Sequence, residues 1–134
     1  MAHRIAVWIV TGLLGATAAD AHHSIVGVYD PGRQVRLEGV ITAFRFVNPH
    51  PFVELAVADG DKTDDWRLEL DNRHELAALG VTADTLRPGD RVIVTGSGAR
   101  DSSRRAYVRV LERPGDRFLY EQVGSSPRVR MPAR

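Results

Sequence analysis

The segment VRLEGVITAFRF, residues 35–46, decides the fold of this chain. Val35 and Leu37 alternate with charged residues, which is the period of a β-strand with one buried face. After Gly39, apolar residues fall on both faces of the segment. A change of phase at a glycine predicts a bulge or a sharp bend. We therefore expect one long, strongly curved strand here.

Working outward, turn signals separate further runs of alternating apolar residues. Asp59-Gly60-Asp61 is typical of a hairpin, and Pro88-Gly89-Asp90 is typical of a turn. Four later strands are predicted at residues 52–58, 66–70, 91–96 and 106–111. Before the long strand, residues 24–29 predict a short strand and residues 30–33 a turn.

A helical pattern interrupts these strands once. Asn72 followed by Glu75 fits the start of a helix, Leu76 and Leu79 share one helical face, and Gly80 is placed to end it. Three strands, a short helix and two strands are the element order of an OB-type fold. We predict a mainly β fold, a small five-stranded OB-like barrel with one short helix between strands three and four. A small open β-sandwich is the alternative.

The N-terminal segment has the pattern of a secretory signal peptide. A weakly basic start is followed by an apolar run and the small residues Ala16-Thr17-Ala18-Ala19. The run is shorter than the roughly 20 apolar residues that span a bilayer. We predict a signal peptide at residues 1–21, cut after Ala21, with a cut after Ala18 or an uncleaved anchor as alternatives. Localisation is then exported, periplasmic or extracellular.

The rest of the chain is predicted to be one OB-like β domain at residues 22–119 and a disordered basic tail at residues 120–134, which is polar and carries Arg128, Arg130 and Arg134. No second apolar stretch of membrane length follows the signal segment, so we expect no transmembrane segment in the mature form.

Composition excludes several classes of function. The chain has 18 basic and 17 acidic residues, so no strong basic field predicts a nucleic-acid partner. It has no cysteine, which excludes disulfides, thiolate nucleophiles and cysteine-ligated metals. No recognised catalytic motif occurs. We expect a protein that is not an enzyme, with a metal ion, a small molecule or an envelope protein as its partner.

Five short motifs together resemble a known family. They are Ala21-His22-His23-Ser24, Leu37-x-Gly39-x-Ile41, Asn48-Pro49-His50, Trp66-x-x-Glu69-Leu70 and Leu86-x-Pro88-Gly89-Asp90-x-Val92. Together they resemble a family of small exported bacterial proteins known only as a domain of unknown function. The resemblance covers roughly residues 21–119. It implies export and a compact β domain, and it implies no activity.

The histidines give the most specific hypothesis. If the chain is cut after Ala21, His22 becomes the first residue, and its α-amine and ring Nδ1 can chelate one metal ion. A second imidazole, from His50 or locally from His23, completes a three-nitrogen site that suits Cu(II). The competing interpretation is a flexible terminus at His22 and an exposed turn at His50. A tight hairpin pairing Tyr29 with Gln34 would leave His22 several residues short of His50 along the long strand.

Two other residues are candidates for ligand binding. Asn48 precedes Pro49, where its side chain either binds a ligand or bonds to its own backbone in a turn. Glu69 points away from the apolar face of its strand, either as a polar group in a ligand cleft or as a solvated partner of Arg67 or Arg45.

We predict an exported, non-enzymatic protein that binds a small ligand or a metal ion, with copper as the sharpest form. The alternative is an envelope interaction or structural module that uses residues 48–52 and binds no metal.

Overall fold

The computed structural model describes residues 21–132, with residues 21–24 described by their backbone alone. Over this range the chain forms two helices and seven strands. In chain order they are α1 Ala21–Val28, β1 Tyr29–Arg45, β2 Phe52–Asp59, β3 Lys62–Glu69, α2 Arg73–Ala78, β4 Arg91–Ala99, β5 Arg105–Arg113, β6 Phe118–Val123 and β7 Ser126–Arg130.

The strands form one sheet in the order β3-β2-β1-β4-β5-β6-β7, and an additional pairing joins β3 to β5. That pairing is parallel, whereas the other neighbours are antiparallel. It closes β1, β2, β3, β5 and β4 into a ring. The prediction of a mainly β fold with five strands and a short helix between the third and fourth is confirmed.

The long first strand is bulged, as its sequence predicts, although not at the glycine. Ile41 pairs with Leu55 and Ala43 with Glu54, so Thr42 is the extra residue. Gly39 has a different role, because a side chain there would collide with the carbonyl oxygen of Ala56. The bulge bends β1 enough to pair with β4 through its first half and with β2 through its second.

The ring encloses a single main core of aliphatic side chains with a few aromatic ones. Helix α2 covers part of it with Leu76, which is fully buried. Asn72 caps this helix by accepting a hydrogen bond from the backbone N–H of His74 at 2.7 Å. Gly80, at φ +89°, ends it, and Val81 returns a hydrogen bond to the carbonyl of Leu76. The predicted start and stop signals thus both lie at the ends of the helix.

The prediction of a short strand at residues 24–29 is wrong, because this segment is the helix α1 followed by the first residue of β1. Ile25 and Val28 pack against Tyr29, Ala99 and Tyr107. Arg100 satisfies the end of the helix through two hydrogen bonds, from its backbone N–H to Val28 and from its side chain to Val26. These tertiary contacts outweigh the local preference for a strand.

The predicted turn at residues 30–33 does not join Tyr29 to Gln34 in a tight hairpin. Tyr29 pairs with Ala99 and Gln34 with Ser97, both on β4, and the residues between them loop out. At the predicted turn, the pairing of β1 with β4 is interrupted. There Asp30 accepts a hydrogen bond from the backbone N–H of Gly32 at 2.9 Å.

The prediction of a disordered tail from residue 120 is also wrong. Residues 118–130 form the β6–β7 hairpin, which turns at Gly124 with φ +63°. Tyr120 is 1% exposed, and Val129 packs against the core. Polar residues, among them Arg128 and Arg130, hide the alternation of Phe118, Tyr120 and Val129, which gives this hairpin a buried face. Residues 133–134 lie outside the described range.

The predicted signal peptide falls mostly on residues 1–20, which lie outside the described part of the chain. Its cleavage site, and the export that it implies, stay predictions. Among the residues that the structure describes, no helix has the length and apolar character needed to cross a membrane.

Candidate functional site

The candidate site lies where the parallel pairing of β3 with β5 closes the ring. Arg67 pairs with Arg105, and Glu69 with Tyr107. From Val110 onward, β6 takes the place of β3 along the same edge of β5. We call the region where β3 gives way to β6 the β3–β5 junction.

Glu69 points outward at this junction and binds a tyrosine. The hydroxyl of Tyr29 donates a 2.7 Å hydrogen bond to Glu69 Oε2. Burial raises the pKa of Tyr29, and the hydrogen bond and charge of Glu69 raise it further, while the charges of Arg105 and Arg67 oppose this. In the described residues, Glu69 makes no ion pair with Arg67 or Arg45. The partner found for its carboxylate is therefore a buried phenol.

The loop after β1 is pinned against the segment that follows β3. The backbone N–H of Leu70 donates to the carbonyl of Pro51 at 2.8 Å, and that of Arg73 donates to Pro49 at 2.9 Å. Two prolines leave this loop with fewer backbone N–H donors of its own. Its carbonyl groups therefore accept hydrogen bonds from the N–H groups of another segment. The loop therefore holds His50 in one place.

The hydrogen bonding of His50 shows which nitrogen of its ring donates. Its Nδ1 lies 3.1 Å from the carbonyl oxygen of Leu70. A carbonyl only accepts, so Nδ1 carries the proton and donates. The other nitrogen, Nε2, is buried and has no hydrogen-bond partner. In the tautomer with its proton on Nδ1, the lone pair is on Nε2, which is the arrangement in which histidine binds metal ions, with the second nitrogen held by a backbone carbonyl.

A second unsatisfied atom lies one residue beyond Leu70. Asp71 is 3% exposed, and its Oδ1 accepts the backbone N–H of Asn72 at 2.8 Å, while Oδ2 has no partner. The negative charge of Asp71 adds to the effect of burial in raising the pKa of Tyr107 and of Tyr120. In the described residues, His50 Nε2 and Asp71 Oδ2 are the buried side-chain atoms left without a partner.

Arg109 extends the junction. It lies at a bulge of β5, since Gly96 pairs with Val108 and Thr95 with Val110. Its guanidinium carbon is 5.1 Å from the centre of the Tyr107 ring, and its Nε donates to the hydroxyl of Ser97 at 3.4 Å. A cation therefore lies beside the buried tyrosine.

The other predicted site residues are not all brought to the junction. Asn48 is exposed, and within residues 25–132 its side chain forms no hydrogen bond, so the expected turn bond is not found. His22 and His23 belong to α1 by their backbone, and their side chains lie outside the described part. In the described part of the chain, no three histidine or carboxylate side chains come together to hold a metal ion.

Comparison with known proteins adds a family. A model described as "Family of unknown function (DUF6152)" matches residues 12–108, which is more than half of the chain. The chain belongs to this family. The resemblance that the five motifs predict is thereby confirmed. Neither a curated protein nor a solved structure matches the chain.

The DUF6152 match includes His50, Glu69 and Asp71 and ends just after Tyr107, whereas β6 and β7 lie beyond it. The sequence analysis missed Asp71 and the tyrosines of the junction. Tyr29, Tyr107 and Tyr120 are the three tyrosines of the chain. That the chain has so few tyrosines is visible in the sequence. That they lie in one region follows only from the closure of the ring.

Proposed function

We propose that this DUF6152 protein is an exported, non-enzymatic binding protein whose ligand is a small molecule or a metal ion. The sharpest form of the proposal is Cu(II) bound by His50 Nε2 and by the N-terminal residue His22. The observation that carries it is the buried, unpartnered Nε2 of His50, whose tautomer is set by the carbonyl of Leu70.

The energetics of His50 support a ligand. A buried acceptor without a partner costs about 1–3 kcal/mol. A ligand that offers a metal centre or a donor to Nε2 removes this cost on binding. A neutral imidazole nitrogen is a preferred ligand of Cu(II), and the anchored loop means that little order has to be gained when the metal arrives.

The course of the N-terminal segment also supports the copper form. Tyr29 reaches Glu69, and the next residue, Leu70, holds His50. Helix α1 ends at Val28, directly before Tyr29, so its C-terminal end lies beside the region that holds Glu69 and Leu70. His22 is seven residues before Tyr29, about 10 Å along a helix. Because Tyr29 pairs with Ala99 and not with Gln34, the limit that a tight hairpin would set on the reach of His22 does not apply.

The remaining ligands in the proposal come from His22. If the exported chain begins at His22, its α-amine and ring nitrogen complete the copper site with His50 Nε2. His23 is the local alternative to His50. Asn48 and Glu69 are the proposed polar groups for a small-molecule ligand, with Glu69 released from Tyr29 when that ligand binds.

The test begins with N-terminal sequencing of the exported protein. We then titrate Cu(II) into the mature form, into His50→Ala and into His74→Ala, a control at an exposed helix residue. The proposal expects one-to-one binding, nitrogen hyperfine structure in the electron paramagnetic resonance spectrum, and a loss of affinity of at least about tenfold in His50→Ala alone.

Three results would contradict the copper form. A mature start at Ala19 leaves His22 without a free amine. Binding unchanged in His50→Ala means a local site at His22 and His23. An absence of one-to-one binding in protein that starts at His22 favours the other candidate, an envelope interaction module that binds no metal.

A further inference from the structure

Two arginine side chains lie over phenylalanine rings on either side of the loop after β1. The guanidinium carbon of Arg67 is 3.7 Å from the centre of the Phe52 ring, and that of Arg73 is 4.8 Å from the centre of the Phe46 ring. Arg45 pairs with Phe52 across the strands. We call Arg45, Phe46, Phe52, Arg67 and Arg73 the arginine–phenylalanine patch.

The arginines of this patch have no ion-pair partner within the described residues. Arg45, Arg67 and Arg73 form no ion pair there, whereas Arg100, Arg104, Arg105 and Arg113 each contact an aspartate. Arg45 and Arg67 are exposed. The guanidinium of Arg67, stacked on a ring, keeps its N–H edge free, and that edge matches both oxygens of a carboxylate.

Arg73, one residue of the patch, is also held in place before any partner arrives. Arg73 donates from its backbone to Pro49 at 2.9 Å and from its side chain to the carbonyl of Phe46 at 3.1 Å. Val47, in the same loop, is 45% exposed. An ordered group loses less conformational entropy on binding, so the patch offers cationic and apolar contacts at a low cost.

We propose that the arginine–phenylalanine patch binds a carboxylate-bearing segment of a partner protein. Aromatic residues and arginine are the types enriched at protein interfaces. Two glutamates are interleaved with the arginines, because Glu54 pairs with Arg67 and Glu69 with Phe52. A continuous polyanion would meet those glutamates as well, whereas a protein segment can place neutral or basic residues opposite them. This interaction does not depend on metal at His50.

The test uses a defined probe, a synthetic peptide of alternating aspartate and glycine, titrated into the full mature protein and followed by nuclear magnetic resonance. We expect shifts confined to the patch and its loop. The double variant Arg67→Gln/Arg73→Gln should weaken binding by at least about fivefold. The control Arg36→Gln/Arg91→Gln removes the same charge from two exposed arginines on β1 and β4 and should leave binding unchanged.

Arg67→Lys separates stacking from charge, because lysine keeps the charge and loses the planar fork. We expect it to weaken binding nearly as much as Arg67→Gln. Equal loss in the patch and control variants, or no binding of the peptide, overturns the proposal. Tighter binding to a heparin fragment, to an oligonucleotide or to phosphatidylglycerol vesicles than to the peptide overturns the choice of a protein partner.

Discussion

The hydroxyl of Tyr29 and the carboxylate of Glu69 are joined by a 2.7 Å hydrogen bond across 40 residues of chain. Tyr29 begins β1 and Glu69 ends β3, two strands that are not neighbours in the ring. The bond therefore fastens the entry of the N-terminal segment to the place where the ring closes.

Tyr29→Phe removes that bond and keeps the ring. Because the lost bond goes to a charged group that is partly buried, we expect the free energy of unfolding to fall by about 1.5–3 kcal/mol in urea titrations. Tyr120→Phe is the matched control, since the hydroxyl of Tyr120 donates to Gln122 across a longer distance, 3.4 Å, and to an uncharged group. A loss no larger in Tyr29→Phe than in the control would contradict this role for Glu69.

The three tyrosines predict a loss of stability at alkaline pH. Burial raises the pKa of Tyr29, Tyr107 and Tyr120 above the ordinary value of 10.0. The folded state therefore holds protons that the unfolded state releases, and stability is full below pH 10 and falls as the pH rises further. Tyrosinate absorbance should appear together with the loss of circular dichroism. Tyrosine ionisation in a protein that stays folded near pH 10 would refute the prediction.

Arg113 is clamped between Asp90 and Asp116, and this clamp predicts a loss of stability at acid pH. This side chain donates to Asp116 and Asp90, and the hydrogen bond from Arg113 holds the pKa of Asp116 below its usual 3.8. The stability that this hydrogen bond contributes is present above pH 3.8 and is lost as the pH falls through the lowered pKa of Asp116. Arg113→Lys cannot hold both carboxylates, so we expect a loss of about 1–2 kcal/mol at neutral pH and a flatter acid profile. An unchanged acid profile would show that the clamp contributes nothing.

The close approach of strands at Gly39 makes it intolerant of any side chain. Gly39→Ala places a methyl group against the Ala56 carbonyl, and we expect a loss of about 1–3 kcal/mol from overpacking. Gly115→Ala is the control, because a side chain at that turn meets open space. Thermal unfolding of the two variants compares them directly, and similar midpoints would rule out the collision.

The C-terminal hairpin is predicted to be part of the folded unit. Truncation after Gly124 removes β7, which exposes one edge of β6 and the buried side of Tyr120. We expect the midpoint of urea unfolding to fall well below that of the full chain. The same midpoint in both proteins would mean that residues from 125 onward act as a loose tail.

The sequence predicts those parts of the fold that depend on local patterns. The alternation at Val35 and Leu37, the cap at Asn72 and the stop at Gly80 each act within a few residues, and all are found. The bulge was expected near Gly39 and lies at Thr42, because strand register is set by the partner as well as by the strand.

The parts that could not be predicted depend on distant contacts. Helix α1 forms where Ile25 and Val28 meet Tyr107, and the hairpin of β6 and β7 forms over a core that other strands build. In the candidate site, the sequence motifs single out His50 and Glu69 as candidates, and their roles stay predictions. The tautomer of His50 and the buried state of Asp71 depend on how the chain after β3 packs, which no local pattern reports.

The parallel pairing of β3 with β5 has a consequence for how the chain is made. Until β5 has left the ribosome, β3 and β4 each present a bare edge of unpaired backbone groups, and the interior between them is open to water. Such edges invite pairing with other chains. The protein is therefore most exposed to aggregation late in its own synthesis, and completion of its fifth strand ends that period.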